Sequence, residues 1–148
     1  MLANKQTPIS QPKGVRLAKL HEGFRRHPYL DTVGIVTVGY GRNLEAVGIS
    51  RQEADFLLSN DMNAADDDLL NNFGYFERLS EVRRLVVVDM RFNLGPGGFR
   101  KFVKMHAALY RQDYKRAAYE MRHSLWYRQV KSRAERLSNA MEYNVLPI

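Results

Sequence analysis

The sequence predicts an α+β fold that is mainly α-helical, with one small β-hairpin near its start. Three observations carry this. Residues 24 to 41, "FRRHPYLDTVGIVTVGYG", alternate and are rich in β-branched and aromatic side chains. The stretches around them place apolar residues at helical spacing between Ser, Asp and Gly punctuation. The chain of 148 residues, 45% hydrophobic and 26% charged, is long enough for one core and too short for two independent ones.

The elements follow in order. The polar stretch "MLANKQTPISQPKG" reads as a loose tail over residues 1 to 11, and residues 12 to 148 as a single domain. Val15, Leu17, Ala18 and Leu20 make a short helix with Pro12 near its start. It ends at Glu22, with Gly23 as a left-handed stop. A hairpin follows, with Asp31 and Gly34 bounding a tight turn between Leu30 and Ile35, and Pro28 confines its first strand to a sheet edge. "GRNLEAVGI" has no periodicity and reads as a loop. Ser50 and Glu53 then form a capping box that opens a helix running toward Gly74.

"SEVRRLVVVDMRFNLG" is ambiguous, because three valines favour a strand. Its length, a Ser80 cap and a Gly95 stop favour a helix, and its apolar residues at 82, 85, 86, 88, 90, 92 and 94 predict a buried central one. After a Gly-Pro-Gly-Gly turn, three amphipathic stretches follow: "FRKFVKMHAALYRQ", "YKRAAYEMRHS" led by Asp113, and "SRAERLSNAMEY" with a capping box at Ser132 and Glu135.

Several chemistries are disfavoured. There is no cysteine, hence no disulfide, thiolate zinc site or thiol nucleophile. "HEGFRRH" begins like a zinc-protease helix, but its second histidine lies six positions on and Gly23 and Pro28 intervene. His106 and His123 are isolated histidines on helices. "GYGRNL" and "GPGG" lack the rest of a phosphate-binding loop and read as turns. Twenty-three Lys and Arg against 16 acids give a formal charge of +7, which favours an anionic partner. The basic residues are scattered over all the helices, so no nucleic-acid module is expected.

One constellation remains. Glu22 falls on the last turn of a helix, where the macrodipole term alone would favour the protonated carboxyl that a general acid needs; a neighbouring cation would oppose it, so the sequence does not sign the net effect. Asp31 stands at a hairpin turn whose amides and Thr32 can hydrogen-bond its carboxylate. Thr37 shares its strand face with Ile35 and Gly39, leaving room for a water. An acid, a base and a water-positioning hydroxyl are thus within reach of one cleft. A turn aspartate and a glutamate before a glycine stop are also common for purely local reasons, so spacing alone does not decide.

Glu22-Gly23, Tyr29, Asp31-Thr32-x-Gly34 and Thr37-Val38-Gly39-Tyr40-Gly41 resemble the signature of the phage-type lysozymes, the muramidase endolysins of bacteriophages. "FNLGPGGF" and "SLWYRQVKSRAERL" resemble the same family's central-helix end and its Ser-x-Trp-Tyr segment, so that residues 10 to 140 are covered. The resemblance implies a two-lobed lysozyme-like domain. Residues 22 to 50 would form the small hairpin lobe, and residues 51 to 148 with the N-terminal helix the helical lobe, with a cleft between. It implies Glu22 as general acid, Asp31 as partner carboxylate and Thr37 as the residue holding the attacking water. Asn93, Gln129 and Arg133 would be substrate contacts, with Trp126 packed beneath the cleft and Arg133 near Glu22. Arg42 stands where family members often carry histidine, and the segment before Ser50 is short, so the small lobe is expected to be reduced.

The implied reaction is inverting hydrolysis of the β-1,4 bond between N-acetylmuramic acid and N-acetylglucosamine, with no metal or cofactor. The implied partner is bacterial peptidoglycan, whose acidic character matches the charge. The C-terminal stretch "YRQVKSRAERLSNAMEY" makes an anionic outer-membrane surface a further expected partner. The protein is expected to be a monomer that binds no nucleic acid. Without an apolar leader in its first residues, it is expected to wait in the host cytoplasm until another protein opens the membrane. Two alternatives stand beside this: a lytic transglycosylase, which needs one acid only, and a non-enzymatic basic helical protein binding membrane or nucleic acid.

Overall fold

Residues 13 to 146 are described by the structure, a computed structural model, and divide into two units, one running to Ala54 and one beginning at Asp55. The tail expected over residues 1 to 11, and Pro12, lie outside the described residues.

The first unit opens with α1 (Lys13–Glu22). Its stop is Gly23, whose φ of 67° few other residues adopt without strain, and whose N–H donates to the Lys19 carbonyl at 3.3 Å. Three antiparallel strands follow in the order β1 (Arg25–Leu30), β2 (Val36–Gly39), β3 (Arg42–Asn43). The β1–β2 turn is the expected one: the Asp31 N–H donates to the Ile35 carbonyl at 2.9 Å and the Gly34 N–H to the Asp31 carbonyl at 3.0 Å. Pro28 sits on the edge strand β1, and the pairing with β2 is irregular between Arg25 and Tyr29.

Strand β3 corrects the reading of "GRNLEAVGI" as a plain loop. Arg42 pairs with Val38 and Asn43 with Thr37. Two residues are too few to show alternation, which is why the pattern was silent. The Ser50–Glu53 capping box forms as expected: the Ser50 N–H donates to the Glu53 carboxylate at 2.6 Å and the Glu53 N–H to Ser50 Oγ at 3.1 Å. That backbone bond, foremost, holds the Glu53 carboxyl below its ordinary range, and Arg42 adds to the effect. It opens α2 (Arg51–Asn72), which begins in the first unit and continues in the second.

In the second unit Ala65 and Leu69 of α2 are buried, and a short 3-10 turn at Phe76–Arg78 leads to α3 (Glu81–Arg100). Ser80 caps α3 by accepting from the Arg83 N–H at 3.3 Å. Val86, Val87, Val88 and Met90 are buried as a central helix requires, whereas Leu85 is 48% exposed, so the apolar residues do not all face the core. Gly95, at φ 73° and ψ 168°, interrupts the helix where a stop was expected, but the residues after it are helical again to Arg100. Pro96 accounts for this, because proline fits the first turn of a new helical segment and the expected Gly-Pro-Gly-Gly turn shrinks to Gly95 alone.

Four helices follow where three amphipathic stretches were read: α4 (Val103–Tyr110), α5 (Tyr114–Arg122), α6 (Leu125–Val130) and α7 (Ser132–Tyr143). Asp113 caps α5, its carboxylate accepting from the Arg116 N–H at 2.9 Å. The capping box expected at Ser132 and Glu135 is absent. Lys131 occupies the cap position at φ 42°, and the Glu135 N–H donates to the Lys131 carbonyl instead. The close succession of α6 and α7 leaves Ser132 already inside the helix.

The core gathers Leu69, Tyr75, Val86, Met90, Phe99, Met105, Leu109, Met121 and Met141. His106 is buried there, its Nε2 2.8 Å from the Phe99 carbonyl and its Nδ1 2.9 Å from the Tyr75 hydroxyl. It is a structural histidine. The apolar face of α7 (Ala134, Leu137, Ala140, Met141) is buried as well, so a membrane surface would have to displace those contacts to reach it. Among the described residues no helix is long and apolar enough to cross a membrane.

Candidate active site

The first unit places its acids along strand β2. Asp31 lies at the β1–β2 turn before the strand begins, and its Oδ1 accepts from the backbone N–H of Val33 and of Ile35, each at 2.9 Å. Both bonds fall on one oxygen, so Oδ2 keeps its acceptor capacity for a ligand. Thr37 is the second residue of β2 and only 4% exposed; its hydroxyl donates to the Ile35 carbonyl at 3.0 Å. Asp31 and Thr37 therefore hold the two ends of one residue, Ile35, which fixes them relative to each other. Once Thr37 Oγ1 spends its proton on that carbonyl, its lone pairs are free to accept a hydrogen bond from water.

Glu22 meets the sheet beyond the other end of β2. A Cβ added to Gly41 would stand 3.0 Å from Glu22 Oε2 and 3.3 Å from its carboxyl carbon. The carboxylate thus lies on bare glycine backbone. Lys19 Nζ stands 5.3 Å from the Tyr40 ring centroid, and the Phe24 and Tyr40 rings are 5.5 Å apart, so the end of α1 and the Gly-Tyr-Gly corner are held together by contacts on both sides of Glu22.

Arg42 answers a departure noted in the sequence. Its Nε donates to the Gly48 carbonyl at 2.9 Å and its guanidinium pairs with Glu53 at 2.8 Å. It therefore ties the short segment after β3 to the start of α2, an architectural task. The close approach of Gly41 to Glu22 and this Arg42–Glu53 tie are not predicted by the sequence reading. For Gly41 a signal existed in the second glycine of Gly-Tyr-Gly; for the ion pair, eleven positions apart, there was none.

In the second unit the expected contacts separate into two groups. Trp126, 4% exposed, donates its indole N–H to Asn93 Oδ1 at 2.7 Å, and with Gln129, Phe102 and Leu94 it lines a recess of about 500 Å³. Asn93, Trp126 and Gln129 are thereby brought together. Arg133 stands apart from that recess: its guanidinium makes a two-pronged ion pair with Asp89, at 2.9 and 3.0 Å, beside Arg136 and Leu137. Its charge is already partnered, and the sequence offered no means of pairing it with Asp89.

Comparison with known proteins converges on one family. A family model described as phage lysozyme matches residues 19–140. Among individual proteins, the chain is 28% identical over 145 residues to the pre-baseplate central spike protein Gp5 of Enterobacteria phage T4, covering 79% of this chain and 25% of that protein. It is 23% identical over 159 residues to the probable T4-type lysozyme 1 of Dictyostelium discoideum, covering 88% of this chain and 94% of that protein. The chain thus spans about a quarter of the spike protein's length and nearly all of the other's. With the family model covering the hairpin and the helices through most of α7, the chain belongs to the phage lysozyme family, whose members are glycoside hydrolases that degrade peptidoglycan.

Proposed function

We propose that this chain hydrolyses the β-1,4 glycosidic bond between N-acetylmuramic acid and N-acetylglucosamine in peptidoglycan, with inversion at the anomeric carbon. Glu22 gives its proton to the glycosidic oxygen as the bond to the anomeric carbon breaks. Water adds to that carbon from the opposite face, passing its proton to Asp31, while Thr37 holds the water in line. The observation that carries the reading is the placement of the two carboxylates beyond opposite ends of β2. A four-residue strand spans roughly 10 Å, which argues against the roughly 5 Å of a retaining pair and favours the wider spacing that inversion needs to admit a water.

Asn93 and Gln129 are assigned to the substrate's sugar or peptide, and Arg133, through its pair with Asp89, to shaping the neighbouring surface. The role in host lysis, as an endolysin held in the cytoplasm until the membrane is opened, is part of this proposal. The likeness over nearly the full length of a probable lysozyme supports the peptidoglycan-hydrolysing part of the reading.

The test is digestion of purified peptidoglycan by the wild type and by Glu22→Gln, counting new reducing ends. Loss of a general acid predicts a fall of at least about 100-fold. Undiminished release of sugar ends by Glu22→Gln would overturn the assignment, and lysis of cells without any sugar release would move the protein to the class of membrane-active binders. Retention of cleavage by Asp31→Asn and Thr37→Ala, with loss in Glu22→Gln alone, would point to a lytic transglycosylase.

A further inference from the structure

Lys104 stands between two recesses of the second unit. It lines the one that contains Trp126 and Gln129, and also a second of about 390 Å³ formed with Ala107, Arg111, Asp113 and Arg116. Arg116 in turn lines a third, of about 320 Å³, with Lys115, Tyr119 and Arg122. The shared residues join the three into one track across α4 and α5. Helical spacing explains its alignment, because Lys104 and Ala107 fall at i and i+3 on one face of α4 and Arg111, its C-cap, follows at i+7.

The charge on this track exceeds what the fold uses. Its acids are engaged: Asp113 caps α5, and Glu120 pairs with Arg116 at 2.6 Å. Arg122 pairs with Glu142. Lys104, Arg111 and Lys115 are exposed and form no ion pair among the described residues. Asp113 lies among them and offsets part of their charge, which leaves the track net positive and favours an anionic ligand.

We propose that this track is a second, non-catalytic binding surface for the wall polymer, taking the free carboxylates of the stem peptides that project from its glycan strands. The proposal rests on peptidoglycan being the substrate. Continuity argues for this occupant, since the track opens from the recess that holds Gln129 and Trp126. A polymer engaged there extends naturally along Lys104 and Arg111. Its carboxylates repeat along the strand, so several weak contacts would add and hold the enzyme to an insoluble wall between cleavages.

The experiment is sedimentation with purified insoluble sacculi across a salt series, using Glu22→Gln so that the wall stays intact, with and without Lys104→Glu/Arg111→Glu. A control carrying Lys13→Glu/Arg51→Glu has the same net charge. Reversing two contacts is expected to weaken retention about tenfold and to lower the salt at which half the protein is released, with the control near the parent. Sacculi whose carboxylates have been amidated should erase the difference. In the active enzyme Arg111→Glu/Lys115→Glu, which lie outside the Trp126 recess, should raise KM on sacculi and leave cleavage of soluble glycan without stem peptides within about twofold. Lys104→Gln/Arg111→Gln should show a smaller loss in the same direction, which separates contact from misfolding. Equal retention by the reversed pair, or an equal loss in the control, overturns the proposal. So does loss confined to anionic phospholipid vesicles, which would make the track a lipid surface. Cleavage by Glu22→Gln would instead strike the catalytic reading and leave the retention result standing.

Discussion

Gly41 is the residue on which the proposed acid depends most and which carries no reactive group. At φ 74° it holds a conformation that side chains resist, and its missing Cβ leaves the space against the Glu22 carboxylate. Gly41→Ala is expected to cost about 1 kcal/mol through backbone strain, read as a lower midpoint in denaturant. It should also reduce kcat on peptidoglycan about tenfold or more by displacing Glu22, whereas Gly14→Ala, with nothing near its Cβ, should leave kcat unchanged. A second expectation concerns His106. Burial pushes its pKa down, only partly offset by its bond to the Phe99 carbonyl. The folded state therefore keeps the ring neutral while the unfolded chain takes up a proton below about pH 6.5. Stability is fully present above that pH and declines as pH falls through it; thermal melts between pH 7.5 and 5 should show the decline, and His106→Gln should flatten it.

Helix α2 is long, yet few of its residues are buried, and its second half is held by charge as well as by Ala65 and Leu69. Asp68 receives Arg91 at 2.8 Å and Arg100 at 2.6 Å, so one carboxylate fastens α2 to the middle and the C-terminal end of α3. The Arg100 hydrogen bond, foremost, then those of Arg91 and Asn72, hold the Asp68 carboxyl far below the usual range against the cost of its burial. Its folded pKa is depressed, so its contribution is present above about pH 4 and lost as acid protonates it. Asp68→Asn is expected to destabilise by about 2 to 3 kcal/mol at neutral pH and by progressively less as the pH falls below about 4 toward the depressed folded value; urea melts over a pH series from about 7 downward check this. Elements of this size also show what a sequence can and cannot reveal. The Gly23 stop, the Asp31 turn, edge strand β1 and the caps at Ser50, Ser80 and Asp113 were legible because each depends on a few adjacent residues. Strand β3 was too short for a period, and the Ser132 box failed because Lys131 took the cap. The pairs Asp68–Arg91, Asp89–Arg133 and Asn93–Trp126 join residues 23, 44 and 33 positions apart, which no local pattern encodes.

At the scale of the whole molecule, the formal charge of +7 meets an acidic polymer, so encounter with the wall should slow as salt screens it. The apparent association rate on sacculi is expected to fall steeply between about 20 and 200 mM NaCl, while kcat on soluble fragments stays level. The sign of the charge was legible from composition, and the family from the motif around Glu22 and Asp31. The resemblance carried by that motif also implies inversion, a stereochemistry that the product reports directly. The most direct measurement is the anomeric form of the first muramic-acid ends released from soluble glycan, followed by proton NMR before mutarotation. Two carboxylates beyond opposite ends of β2, with water between them, predict the α anomer first and none from Glu22→Gln. The β anomer first would mean a closer, retaining pair, and anhydro ends would mean that water takes no part; either result contradicts the account.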